Sequence, residues 1–171
     1  MTGKNQEFLS KRALELGAKD CKLIDVSTVK TGEWVRYKCQ YGCSGYRESL
    51  TCPPYSPTSK QTEKILGCYK KALLIHCQSG SKKDISKITV EIEKEAFFAG
   101  YYKAWAMGAG PCRLCPSCDV TALCRHSYKA RPSMEACGID VFQTARSNGF
   151  TIQTLDSQNC KANYFALVLI E

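Results

Sequence analysis

The chemistry of this chain is carried by cysteine. Twelve of its 171 residues are cysteines, and the densest group is Pro111-Cys112-Arg113-Leu114-Cys115-Pro116-Ser117-Cys118, followed by Cys124 and Cys137. Two successive CxxC spacings let one tight loop set three thiolates at three corners of a cubane, with a more distant residue as the fourth ligand, the logic of ferredoxin loops. The run departs from the bacterial ferredoxin pattern in one respect. Cys124 follows Cys118 after five residues and precedes Arg125, not a proline, so this is not a ferredoxin domain, and which remote cysteine closes the site stays open. Zinc is the inorganic competitor, since thiolate loops also hold it tetrahedrally. A zinc ribbon, however, pairs two separated CxxC knuckles, and a triplet on one loop suits a cluster better.

A second group is formed by Cys39-Gln40-Tyr41-Gly42-Cys43 and Cys52-Pro53-Pro54-Tyr55. Gly42 and Gly45 let the chain fold tightly around a bound species, and the two prolines stiffen the segment after Cys52. Three ligands here need a fourth, from Cys124 or Cys137. The eight cysteines 39, 43, 52, 112, 115, 118, 124 and 137 can thus divide into two four-ligand sites, or one site can form while the other thiols are buried.

Other residues carry weaker signals. Cys21 and Cys77 fall in apolar strand-like runs, Cys68 follows a helix and Cys160 lies in a polar turn, so these four read as buried or incidental thiols. His76 reads as a core residue. His126, two positions from Cys124, could ligate a cluster or donate a hydrogen bond to its sulfur. Ser133 reads as a helix cap, and Glu135 and Asp140 as helix-face residues. No Ser/His/Asp order, phosphate loop or dinucleotide fingerprint supports a hydrolase or nucleotide-binding reading.

Together the segments CQYGC, CPPYSPT, GPCRLCPSCD and CRHSYKARPSMEACGIDVF, with the downstream Asn148-Gly149, resemble the proteins grouped as domain of unknown function 2284. That family is described as predicted metal-binding proteins and is common in anaerobic bacteria and archaea. The resemblance spans roughly Cys39 to Gly149. It implies metal or iron-sulfur binding in the cytoplasm and no particular reaction.

Composition bounds the rest. At 171 residues with 44% hydrophobic and 23% charged content, the chain fits one domain, residues 1–171, with a real core, and excludes collagen-like and disordered classes. A domain of this size folds without covalent staples, so the cysteine excess needs a chemical reason. The N-terminus MTGKNQEFLSKRALELG lacks a signal-peptide apolar region, and the longest apolar run, Tyr164 to Ile170, is far short of the roughly 18 to 20 residues that cross a bilayer. A reducing cytoplasm is the expectation, with thiols as ligands, not disulfides, and with no membrane partner. The formal charge of +8 falls to about +4 once two thiolate-bound metal sites are counted. The cations Lys11, Arg12, Lys70, Lys71, Lys82 and Lys83 are scattered, without the aromatic-interleaved pattern of an RNA-binding module, so nucleic acid is not an expected partner.

The elements that must position these residues follow from periodicity. A helix is expected over about Gln6 to Leu16, stopped by Gly17, then a strand over Cys21 to Val29 and a cysteine-bearing loop through Cys39, Cys43 and Cys52. Thr58 or Ser59 caps a short helix to about Leu66. Lys71 to Cys77 reads as a buried strand ended by Ser79-Gly80-Ser81, and Asp84 to about Met107 as a long helix bearing an aromatic stripe of Phe98, Tyr102 and Trp105. After the second cysteine loop, Pro132-Ser133 opens a helix to Ser147, and Phe150 to Leu155 and Tyr164 to Ile170 read as strands. The expected fold is α/β, a mixed sheet of about four strands with flanking helices and two cysteine-rich metal-binding loops.

The functional expectation is an iron-sulfur protein with one or two [4Fe-4S]-type clusters that transfers electrons or supports a partner redox enzyme. A zinc-stabilised interaction module and a small reductive enzyme with substrate at an open cluster iron are the alternatives. Arg113, Arg125, Lys129 and Arg131 crowd the second cysteine group. They can neutralise its charge or steer an acidic redox partner.

Overall fold

A computed structural model describes residues 4–79, 84–157 and 160–171. Gly80 and Ser81, expected to end a strand, and the cations Lys82 and Lys83 lie outside the described residues.

The chain opens with helix α1 (Lys4–Glu15), whose Leu9 and Ala13 are fully buried. Gly17, at φ 108°, ends it in a left-handed turn that lets Ala18 N–H reach back to the Ala13 carbonyl. Strand β1 (Asp20–Asp25) passes through a short 3-10 turn into α2 (Glu33–Gly42) and α3 (Ser59–Leu66). Thr58 and Gln61 form a reciprocal cap on α3: the Gln61 amide donates to Thr58 Oγ1 at 3.2 Å and the Thr58 amide to Gln61 Oε1 at 2.8 Å. Strand β2 (Lys71–Gln78), helix α4 (Ile85–Phe98), strand β3 (Trp105–Met107), helix α5 (Val141–Ser147) and strand β4 (Asn163–Leu169) complete the order.

The four strands lie in the order β1-β2-β4-β3. Because successive side chains along a strand point to opposite faces, β2 feeds two cores. Leu73, Ile75 and Cys77 join Leu9 and Ala13 of α1 and Ile88, Ile92 and Ala96 of α4 on one face. Ala72 and Leu74 join Phe165, Leu167, Met107, Met134, Cys137 and Ile139 on the other. Burial on both faces explains the unbroken apolar runs of β2 and β4. The face without α1 and α4 is the one that meets the cysteine segments.

The α/β class and the number of strands match expectation, but several elements differ. Every strand pairing is antiparallel, so the sheet is not mixed. Helix α4 ends at Phe98, not near Met107, because Gly100 turns the chain at φ 98°. The aromatic stripe therefore does not exist: Phe98 and Tyr102 are exposed, and Trp105 belongs to β3, opposite Leu169. Residues 150–155 form no strand, since only Ile152 among its neighbours is buried, and its carbonyl is taken by the Arg146 guanidinium at 3.0 Å. The expected helix from Pro132 starts only at Val141, capped by Asp140, whose carboxylate accepts from the Gln143 amide at 2.9 Å. Cys39 lies on helix α2, not in a loop.

Candidate metal centre

One stretch, residues 132–140, ties the cysteine segments to the sheet. At its start, Gly108 N–H donates to the Pro132 carbonyl at 2.8 Å and Met134 N–H to the Gly108 carbonyl at 3.0 Å, fixing the end of β3 just before Cys112. At its end, Gly32 N–H donates to Gly138 O at 2.8 Å and Asp140 N–H to Lys30 O at 2.7 Å, fixing the approach to α2. Gly138 has φ 76°, and a Cβ there would lie 2.2 Å from Ser59 Oγ. Only glycine fits this contact. Thr62 Oγ1 donates to the Cys137 carbonyl at 2.6 Å.

Arg36 clamps the first cysteine group to the same stretch. From α2, its Nη1 donates to Pro57 O and Ala136 O, each at 2.7 Å, and to Ser56 Oγ at 3.1 Å; Ser56 Oγ in turn donates to Ala136 O at 2.7 Å. The helix bearing Cys39 and the loop bearing Cys52 are thereby held against one backbone carbonyl. Ionised donors make such bonds stronger than neutral ones.

Four of the sequence-identified cysteines, Cys112, Cys115, Cys118 and Cys124, line one cavity of about 210 Å³, together with His126 and residues 48–51 of the loop before Cys52. The turn that brings the chain back from Cys118 to Cys124 is an Asp119 side-chain turn. Thr121 donates to Asp119 Oδ1 from its amide at 3.0 Å and its hydroxyl at 2.7 Å, which holds the Asp119 carboxyl below its ordinary range. Burial pushes the Cys112 thiol up, a hydrogen bond from the Leu114 amide opposes this, and the neighbouring Cys124, Cys115 and Cys118 push it further up. Thiolates this close repel one another unless a cation lies among them. Among the described residues, no three Cys, His, Asp or Glu side chains converge on a single metal-ion position.

Cys39, Cys43 and Cys52 form the second group. Burial raises Cys39 most, followed by the nearby Cys43 and Glu135, against the opposing Arg36 charge. Burial likewise leads for Cys52, followed by Cys43 and Cys39, with Cys112 a weaker contributor. The two groups are therefore electrostatic neighbours. The Gly45 amide donates to Cys43 Sγ at 3.4 Å, the same i+2 amide-to-sulfur arrangement as Leu114 to Cys112.

Cys137 joins neither group in the structure. It has no solvent exposure, packs in the sheet core, and burial pushes its thiol up to about 12, with Arg36 and Glu135 as its charged neighbours. The geometry gathers a four-thiol set and a three-thiol set.

Other sequence candidates fall elsewhere. Ser133 does cap a turn, accepting from the Ala136 amide at 3.1 Å. His76 is a satisfied core group, bonded to Asn163 Oδ1 at 2.8 Å and stacked on Phe165. Arg131 is not a free surface cation but is paired with Glu93, whereas Arg113, Arg125 and Lys129 are exposed. All twelve cysteines are unpaired thiols, of which Cys77 is buried, Cys21 half-buried, and Cys68 and Cys160 exposed. Sequence reasoning gave no role to Arg36 or Trp34 and set Glu135 aside as a helix-face residue. Glu135 is on no helix: burial raises its carboxyl, and its Oε2 is buried without a hydrogen-bond partner. Its place five residues before the Asp140 cap carries no sequence signal of this.

A family model described as Predicted metal-binding protein (DUF2284) matches residues 22–170, which include every cysteine of both groups. No curated protein and no solved structure matches the chain. Among the described residues, no helix is long and apolar enough to cross a membrane.

Proposed function

The chain belongs to the DUF2284 family of predicted metal-binding proteins, and on that premise we propose that it holds cubane iron-sulfur clusters and passes electrons to or from a partner redox protein. The observation that carries this reading is the wall of four thiols around one cavity, Cys112, Cys115, Cys118 and Cys124. A zinc ion draws its sulfurs to about 2.3 Å from one point. Thiols spread around a cavity suit a larger, polynuclear group, and an all-sulfur donor set is the usual one for iron-sulfur clusters. Cys39, Cys43 and Cys52 would hold a second group and leave one position without a protein thiol.

Bound there, a cluster supplies one-electron transfer. The chain's own residues do the rest. Arg36 and the 132–140 stretch fix the thiols against the sheet, so little rearrangement accompanies a change of charge. Amide donors from Leu114 and Gly45 to cysteine sulfur stabilise added negative charge and raise the potential. Twelve unpaired thiols suit the reducing cytoplasm.

Exposed Arg113, Arg125 and Lys129 stand on the segment that encloses the four thiols, where they favour an acidic partner. Electron exchange between the reduced protein and an acidic ferredoxin-type carrier should slow steeply with added salt and slow again in Lys129→Glu. Flat salt dependence with unchanged rates and intact metal content would remove the electron-transfer reading. A second reading, a small reductive enzyme, is favoured by the apolar cavity that reaches Cys39 and Cys43.

A further inference from the structure

Three large apolar side chains are left in water on the segment that encloses the four-thiol cavity. Leu123 is 94% exposed, Tyr128 64% and Leu114 36%. Each stands next to the cavity wall: Leu114 lines it directly, Leu123 precedes the lining Cys124, and the Tyr128 ring lies 6.4 Å from that of the lining His126. Single exposed apolar residues are ordinary on a protein surface, but three around one cavity mark a place where another molecule excludes water.

The charges among them give that molecule its sign. Arg113, Arg125 and Lys129 are exposed, whereas Asp119 is the single acidic residue of positions 111–130, and its carboxylate is already taken by Thr121. Where residues 48–51 line the cavity, Glu48 follows the oppositely charged Arg47, and both are exposed. The four thiols are half-buried, so the outermost layer is basic even with a cluster's negative charge beneath it. Lys129 Nζ lies 5.2 Å from the centre of the Tyr128 ring, which joins cation and apolar surface in one contact. Protein docking surfaces have this anatomy, an apolar centre within a polar rim. Three cations on the segment are fewer than the roughly 4–8 that anionic lipid recognition uses, which favours a protein partner.

We propose that Leu123 and Tyr128, with Arg113, Arg125 and Lys129 about them, are the docking surface for an acidic redox protein, Leu123 supplying the apolar anchor and the cations the attraction. That the partner is a redox protein rests on the electron-transfer reading above.

Salt separates the two contributions. Charge attraction is long-ranged, screened and felt in the association rate, whereas burial of an apolar anchor is short-ranged and felt in dissociation. The test titrates the full-length protein, purified without oxygen, with an acidic plant-type ferredoxin across a salt series, with electron exchange, iron, sulfide and Tm measured on the same samples. Leu123→Ser should weaken the complex about 10-fold at every salt concentration, because it removes apolar surface that the partner buries. Leu123→Met, of similar volume and hydrophobicity, should bind as the parent does. Lys129→Glu should instead weaken binding most at low salt and flatten its salt dependence. All three should keep their iron and Tm, since both positions are exposed. A Leu123→Ser complex within about twofold of the parent, the scale of an indifferent surface change, would overturn the docking surface and leave the electron-transfer reading standing. Iron loss from Leu123→Ser would make the residue structural and overturn it too, as would binding to phosphatidylserine vesicles in place of the ferredoxin. A parent protein that exchanges no electrons with the ferredoxin would remove the reading and the proposal together.

Discussion

Arg131 grips Glu93 with two nitrogens: Nε donates to Oε2 at 2.7 Å and Nη2 to Oε1 at 2.6 Å. Glu93 Oε2 also accepts from the Ala106 amide at 2.8 Å, so one carboxylate joins helix α4, strand β3 and the chain just after the four-thiol segment. The pair is well shielded, with side-chain exposures of 16% and 14%. Hydrogen bonding to Glu93 holds the Arg131 guanidinium above its ordinary value. Its job is to close the loop of Cys112 to Cys124 onto the sheet.

Removing one partner leaves the other charge shielded and unpaired. Arg131→Met should therefore cost about 2–3 kcal/mol, below the 3–5 kcal/mol of a fully buried pair because some solvent remains. Arg131→Lys should recover only part of this, since lysine cannot make the paired contact. Urea unfolding of both variants measures it. A loss under about 0.5 kcal/mol would mean that the pair behaves as a surface contact.

Serine in place of Cys112, Cys115, Cys118 or Cys124 should remove about half of the bound iron, as should serine at Cys39, Cys43 or Cys52, because a hard hydroxyl replaces a thiolate. Cys68→Ser, Cys160→Ser and Cys137→Val should keep all of it. Iron analysis of the variant series decides. Complete loss from either group would mean one shared site, and loss from Cys137→Val would move that thiol into the ligand set.

High pH should expose the buried thiol of Cys137. Unfolded, it ionises near its ordinary value of 9.0, whereas folded it keeps its proton to about 12. Above about pH 9 the unfolded state therefore holds fewer protons than the folded one, and stability falls as pH rises, by up to about 1.4 kcal/mol per unit for this group. Below pH 9 it contributes no pH dependence. Cys137→Val should lose about 2 kcal/mol less than the parent between about pH 8 and about pH 10.5. Equal slopes in urea unfolding across that range would place the Cys137 thiol in contact with water or a cation.

Much of this was legible in the sequence where local chemistry decides structure. The stop signal at Gly17, the cap signal at Thr58 or Ser59 and the apolar runs of β2 and β4 each act within a few residues. The CxxCxxC spacing likewise placed Cys112, Cys115 and Cys118 on one loop and left open which remote cysteine joins them. What escaped depends on contacts distant in the chain. Strand β3 has three residues and exists only because β4 offers an edge. Helix α2 buries only Val35, too little to leave a periodic pattern, and is held instead by Arg36. The mismatch at residues 98–105 arose because Phe98, Tyr102 and Trp105 fit a helical period that Gly100 interrupts. Glu135 was invisible because an orphaned oxygen is a property of surroundings, not of spacing.

The central claim, that thiols of this chain hold iron and sulfide, is tested most directly by assaying iron, acid-labile sulfide and zinc in protein purified without oxygen. The account predicts a brown protein with iron and sulfide in equal amounts, absorption that bleaches on reduction, and Tm that falls on chelation because ligation and folding are coupled. Stoichiometric zinc without sulfide, in protein made or reconstituted anaerobically, would contradict it.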